Sequence, residues 1–306
     1  MIVVAGEALV DLIVEPSGTV VGVPGGGPYN VARTVARLGV DSTYLGLLSA
    51  DAFGRRLRRE LVDDGVRLAV PDPVELPTTL AVADLAADGS ATYRFHTADT
   101  SAVALRPDDV PPGLLDGALA LHVGTLGLVF EPVVGTLRAL VETAPDGLLV
   151  MLDPNCRPTA VADRSAYLAR LHAVLLRADV VKVSTEDLAY LEPATDPVGA
   201  ARRLLDRGPT AVLVTDGPRA ARVVTSGGVV DVPPVEVHVV DTVGAGDAFG
   251  GAFLAWWSAA GLNRDDVTDV GRLTAATTAA VRVAALTCAR RGSDPPRLAD
   301  LGGTWP

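Results

Sequence analysis

The feature that most constrains this chain is a rhythm. Short apolar, β-branched runs alternate with longer stretches whose apolar residues recur every three or four positions. The short runs are 2–6 (IVVAG), 44–49 (YLGLLS), 119–124 (LALHVG), 148–153 (LLVMLD), 180–184 (VVKVS) and 211–215 (AVLVT). They show little polar alternation, so both faces of each strand need cover. Between them, Val31, Val35 and Leu38 form one helical stripe, with Arg33 and Arg37 in the gaps. Leu168, Leu171, Leu175 and Leu176 form another. Strands alternating with helices in this way imply an α/β fold with a mostly parallel sheet. At 306 residues, of which 49% are hydrophobic, the chain can build one large core.

Two segments break the rhythm. Residues 10–23 and 79–96 each read as two short strands around a turn, and Asp88-Gly89 in the second is a hairpin signal. Inserted hairpins suggest a small separate sheet, for which a lid is one use; extra strands at the main sheet's edge are the other reading. A third strand pair, ARVVT and GVVDV (221–232), turns at Ser226-Gly227-Gly228 and extends the main sheet.

Charge narrows the partners. The chain carries 37 acidic against 26 basic residues, a net charge of -11, and no basic stripe. That balance argues against nucleic acid. Arg55, Arg56, Arg58 and Arg59 cluster on what reads as a solvated helix face. No stretch reaches the roughly 18 uninterrupted apolar residues of a membrane helix. The N-terminal apolar run is interrupted by Glu7 and Asp11 and lacks a basic start, so it reads as a strand, not a leader. Cys156 and Cys288 are too few and too distant for a disulfide framework and read as free thiols. A soluble cytoplasmic protein is expected. None of His96, His122, His172 and His238 has metal-ligand spacing, and only His96 lies in a segment that could touch a ligand.

The chemistry sits in two glycine-rich segments. Residues 241–254 read DTVGAGDAFGGAFL. A Walker loop needs a lysine after its glycines, and the single lysine, Lys182, lies in a strand-like run with no such loop before it. A dinucleotide fingerprint fails because Phe249 stands at its third glycine position. What remains is a strand-like run, VEVHVVDT, then Gly244-Ala245-Gly246-Asp247, then a helical run through Ala260. Such a turn leaves unpaired amides and a positive dipole end at the helix start, an anion hole that needs no lysine. Asp247, in the first turn, could take a proton from a hydroxyl attacking phosphorus. An ordinary glycine turn with Asp as a helix-start residue fits the local pattern equally well. The second segment, 25–39, reads GGGPYNVARTVARLG. Pro28 pre-sets a helix start and Asn30 is polar in its first turn. Gly25 to Gly27 allow close backbone approach to a ligand, or make a flexible connection. Two glycine loops could line one cleft.

Together these segments resemble the two signatures of the ribokinase-like (PfkB-type) carbohydrate kinases, in the right order and about 200 residues apart. The resemblance covers essentially the whole chain as a single domain, with a β-sheet lid from about 10–23 and 79–96. It implies a Rossmann-like core and transfer of the ATP γ-phosphoryl group to a sugar hydroxyl with Mg²⁺. It implies Asp247 as the base and the amides of Gly244, Ala245 and Gly246 as the anion hole. Asp11, Gly26, Gly27 and Asn30 match the sugar-contacting positions. The family's N-x-x-E motif is altered here to KVSTEDL, with Ser184 and Asp187 in the Asn and Glu places and Glu186 as another carboxylate for the metal. An N-cap at Ser184 with acids in the first turn accounts for the same residues. Thr215-Asp216-Gly217 matches a nucleotide loop, and the small-residue run from Leu273 to Leu286 suits either a packed base or plain core packing.

Three segments look like the fructokinase branch: LDPNCRP (152–158), HVGTLGLVFEP (122–132, with Thr125 for the usual serine) and TYRFHTADTSA (92–102). They add Arg94, Asn155 and Arg157 as ligand candidates, against a solvated strand arginine and an ion pair to Asp153. The expectation is a fructokinase. The alternatives are a kinase for 2-keto-3-deoxygluconate, ribose or a nucleoside, or a non-catalytic sugar-binding regulator. The family also suggests K⁺ held by carbonyls and a homodimer through the lid.

Overall fold

A computed structural model describes residues 1–85, 91–303 and 305–306. In chain order the strands are β1 (Ile2–Ala5), β2 (Leu9–Val14), β3 (Val20–Gly25), β4 (Ser42–Leu45), β5 (Arg67–Leu68), β6 (Leu80–Leu85), β7 (Ala91–His96), β8 (Ala120–Gly124), β9 (Leu149–Asp153), β10 (Val180–Ser184), β11 (Ala211–Thr215), β12 (Ala221–Thr225) and β13 (Gly228–Val232). The α-helices are α1 (Gly27–Arg37), α2 (Ala52–Asp63), α3 (Val133–Glu142), α4 (Arg164–Leu175), α5 (Thr185–Leu191), α6 (Pro197–Leu205), α7 (Ala245–Ala259) and α8 (Val270–Cys288).

The main sheet runs β13-β12-β11-β10-β9-β8-β1-β4-β5. It is parallel from β5 to β11, and β12 and β13 add to it antiparallel. Strand alternation divides its side chains between two cores. Ile2 and Val4 of β1 join a core with α1, α2, α7 and α8; Val3 and Ala5 join one with α3, α4, α5 and α6. This double burial is why the strand runs read as continuously apolar.

The second sheet has the order β3-β2-β6-β7. Both hairpins form as expected, antiparallel within each and joined by a parallel β2–β6 pairing. The Asp88-Gly89 turn lies outside the described residues. Leu9, Ala81 and Leu126, with Phe95, Phe130 and Ala160, form a small apolar cluster where this sheet meets the main body.

Three expectations change. No strand forms over VEVHVVDT: residues 233–244 are irregular. Pro233 and Pro234 end β13, and Val235, Val239 and Val240 are exposed with no neighbouring edge. The run at 44–49 leaves the sheet at Leu45, and Ser49 makes only an isolated bridge to Val74. Leu176 is 76% exposed, outside the stripe buried by Leu171 and Leu175. Arg33, between the apolar positions of α1, is itself buried and pairs with Asp64 at 2.8 Å.

Candidate active site

A cavity of about 320 Å³ opens at the carboxyl ends of the central strands, roofed by the second sheet. Carboxyl ends are where open α/β sheets place ligands, because loops diverge there. The cavity is lined by Glu7 beyond β1, Thr125 beyond β8, Asn155 and Arg157 beyond β9, and Lys182 on β10. The two glycine-rich helix starts contribute Gly26, Gly27, Asn30, Gly244, Gly246 and Asp247. The roof supplies Asp11 from β2 and Tyr93 and Phe95 from β7.

Helix α7 begins at Gly244, whose φ of 76° is left-handed, and no side chain caps it. A β-carbon at Gly244 would strike Ser293, whose Cα would lie 3.0 Å away. The Ala245 amide is spent on the Thr242 carbonyl at 3.3 Å. Among the described residues the Gly246 and Asp247 amides have no such partner, which leaves them for an anion. Asp247, in the first turn, is buried and accepts from Asn30 Nδ2 at 2.8 Å. Burial raises its pKa, opposed by the Asn30 bond and by the charges of Lys182 and Arg157.

Helix α1 begins differently. Gly26 has φ 108°, and a β-carbon there would sit 2.6 Å from the Glu7 carbonyl oxygen. The Gly27 amide donates to Glu7 Oε1 at 3.2 Å. Glu7 also accepts from Thr125 Oγ1 and, at 3.2 Å, from the Gly127 amide. Burial nevertheless pushes its carboxyl up to about 7.

Two more carboxyls are shifted, Asp11 in the cavity wall and Asp153 behind Lys182. Burial pushes Asp11 up to about 6, with Arg157 pulling it down and Asp247 adding to the rise. Asp153 is likewise pushed up to about 6 by burial, against the opposing charge of Lys182. Lys182 Nζ bonds Asp153 Oδ2 at 2.9 Å in a fully buried pair. Several acids shifted upward around one cleft are a pattern of functional sites.

Nine expected residues thus meet in one cavity: Asp11, Gly26, Gly27, Asn30, Asn155, Arg157, Gly244, Gly246 and Asp247. Arg94 lies outside it. Tyr93 and Phe95 line the cavity, and strand alternation puts Arg94 and His96 on the other face of β7. Ser184 caps α5: its Oγ accepts from the Asp187 amide at 3.0 Å and donates to Asp187 Oδ2 at 2.8 Å. The other Asp187 oxygen accepts from the Cys156 amide at 2.6 Å. Ser184 pairs in register with Thr215, and Gly217 follows with φ 54°. These residues, with Glu186, form a neighbouring shelf beyond the cavity. Sequence reasoning missed Glu7, Tyr93, Phe95 and Lys182 as site residues. For Lys182 a signal existed: it is the only lysine among 26 basic residues.

A model of the pfkB family carbohydrate kinases matches residues 1–299. A fructokinase of Klebsiella pneumoniae is 36% identical over 263 residues, 85% of each chain. The crystal structure of a fructokinase from Xylella fastidiosa with bound ATP superposes with a TM-score of 0.88 at 27% identity, covering 98% of this chain and 96% of that one. A fructokinase from Vibrio cholerae O395, solved with fructose, ADP and calcium, gives 0.83 at 29% identity, covering 95% and 94%.

Proposed function

The chain belongs to the pfkB family of carbohydrate kinases, and from that premise we propose that this sugar kinase phosphorylates fructose at the expense of ATP, in the cavity between its two sheets. The observation that carries the reading is the uncapped start of α7, with Asp247 in its first turn and the sugar-side residues Asp11 and Asn30 across the same cavity. The relatives named above support fructose over the other sugars.

Asp247 is the base. It takes the proton of the attacking sugar hydroxyl, and the raised proton affinity of a buried carboxylate suits that task. The Gly246 and Asp247 amides meet the phosphoryl group. Its transition state is loose and highly charged, so positioning and charge neutralisation do most of the work. Asp11 and Asn30 hold the sugar. The second sheet serves as a lid that excludes water, with Tyr93 and Phe95 as its apolar underside. ATP lies toward Thr215 and Gly217. In pairs of this protein the exposed Val20 and Val21 of that sheet's β3 edge cover each other, and a sedimentation profile of monomers only would rule this out.

Magnesium supplies charge neutralisation on the nucleotide phosphates. Among the described residues no group of three or more possible ligands forms an all-protein metal site. Both Asp187 oxygens already accept hydrogen bonds. The donor set therefore fits an ion held mainly by phosphates and water, with Glu186 and Asp187 reached through water.

The test is ADP release and product identification with MgATP and a panel of fructose, ribose, 2-keto-3-deoxygluconate and nucleosides. Fructose is expected to show the highest kcat/KM. A better nucleoside or sugar acid would overturn the substrate, and no turnover on any member would overturn the kinase.

A further inference from the structure

We propose that Lys182, resting on the kinase reading above, meets the phosphoryl group in transit and neutralises its charge, held in place by Asp153 beneath the start of α7. Three observations converge on it.

The first is place. Alternation along β10 sends Val181 and Val183 into one core and turns Lys182 to the face covered by α7. A β-carbon at Gly246 would stand 2.8 Å from Lys182 Nζ. The glycine therefore leaves room for the ammonium directly under the two unpartnered amides. Lys182 also lines the cavity itself.

The second is cost. Lys182 is 4% exposed and Asp153 2%. Removing two charges from water costs several kcal/mol each, and an apolar pair of similar volume often serves stability as well or better. Folding alone gives no reason to keep an ammonium here. A site that must hold a multiply charged anion does.

The third is residue choice. Every other basic position in the chain is arginine. A guanidinium is a wide planar fork, whereas an ammonium is a compact point charge with three rotatable donors. With Nζ already 2.8 Å from where a Gly246 β-carbon would stand, the space under α7 suits the compact group. The uncharged amides of the α7 start supply direction, and Lys182 supplies the full positive charge that they lack. The remaining groups nearby are Asp247 on α7, Asp153 on β9, Asp187 on α5, and Arg157 and Asn155 beyond β9; His122 on β8 is pushed down to about 3 by burial and the Lys182 charge and stays neutral.

Asp247 takes the sugar hydroxyl proton, and the hydroxyl oxygen bonds to the γ-phosphorus. The bond from that phosphorus to the β,γ-bridging oxygen breaks, and its electron pair leaves with ADP. Lys182 keeps its protons throughout.

Lys182→Met should lower kcat by about a hundredfold, the loss seen for one strong donor to a developing oxyanion, with the sugar KM little changed. Because there is one lysine, ¹⁵N-lysine labelling gives the intact protein one ammonium resonance. Saturating magnesium β,γ-methylene-ATP should shift it. An unchanged kcat, an effect confined to KM or melting temperature, or a resonance that stays put with the analogue bound would each overturn the proposal. If the variant does not fold, the resonance alone decides. Should wild-type protein turn over no sugar while the resonance still moves, the kinase reading falls and the anion contact stands.

Discussion

Helices α1 and α7 begin alike and end up with different occupants. Each starts at a glycine with left-handed or related positive φ, Gly26 and Gly244. Both first turns face the same cavity, and Asn30 of one bonds Asp247 of the other. At α1 the place for an anion is filled from within, because the Glu7 carboxyl takes the Gly27 amide. At α7 no side chain fills it. A glycine-rich helix start is thus only a potential anion site. What decides is whether the chain brings its own carboxyl to it. On the proposed function, the filled start is the wall for the sugar and the open one takes the phosphate.

The largest test removes the acid at the open end. Asp247→Asn keeps shape and the Asn30 neighbour but cannot take a proton. The rate of ADP release should fall by about a thousandfold, while the melting temperature holds or rises because a buried charge is gone. Near-normal turnover would end the assignment of α7 as the reacting end.

Next come the two glycines. Gly244→Ala forces a β-carbon into left-handed backbone and into Ser293, tilting the free amides. We expect kcat to drop by about a hundredfold. Gly26→Ala instead collides with the Glu7 carbonyl and should act mainly on the sugar KM. Steady-state kinetics on both variants would break the comparison if Gly26→Ala cost kcat as much as Gly244→Ala.

Much of this contrast was legible in the sequence, and the part that was not has a physical cause. Periodicity located the strands 180–184 and 211–215 at their observed bounds, since doubly buried strands leave a continuous apolar run. It failed at VEVHVVDT because alternation marks a strand only when a partner edge exists. The glycine loops and Asp247 were visible because backbone chemistry restricts those positions to few residue types. Glu7 was not, and Lys182 was marked only by being the one lysine in the chain. A lone charge in an apolar run looks like any polar interruption, and its meaning comes from residues 20 and 29 positions away, Gly27 and Asp153. Arg94 erred by one residue of strand phase, which turns a side chain to the other face.

A smaller effect is expected at the link between the two helices. Asn30→Ala removes a hydrogen bond to the ionised form of Asp247, worth about 1.5–3 kcal/mol for a charged acceptor. That bond lowers the Asp247 pKa. Without it the carboxyl holds its proton to higher pH, so the acidic limb of kcat/KM should move upward. A limb that stays fixed would mean that α1 does not tune α7.

The smallest effect on activity, and the sharpest probe of the closed end, is Glu7→Gln. The Glu7 carboxyl titrates at about 7 in the folded chain against an ordinary value of 4.5. The folded state therefore binds the proton more tightly than the unfolded one. Its contribution is fully present below about pH 4.5 and is lost as pH rises through 7, a change of about 3 kcal/mol. Asp11 and Asp153 add slopes of the same sign that end nearer pH 6, and both remain in the variant. Glutamine cannot titrate. It also turns an amide nitrogen toward one of the donors that Glu7 satisfies, so the variant should lose about 1–2 kcal/mol overall. Denaturant titrations from pH 5 to 8 should show wild type weakening more steeply than Glu7→Gln, most clearly between pH 5 and 7, with the two curves running parallel near pH 8. Curves parallel throughout would mean that Glu7 does not carry this proton. The closed start of α1 would then be held by hydrogen-bond geometry alone, with its carboxyl charged throughout.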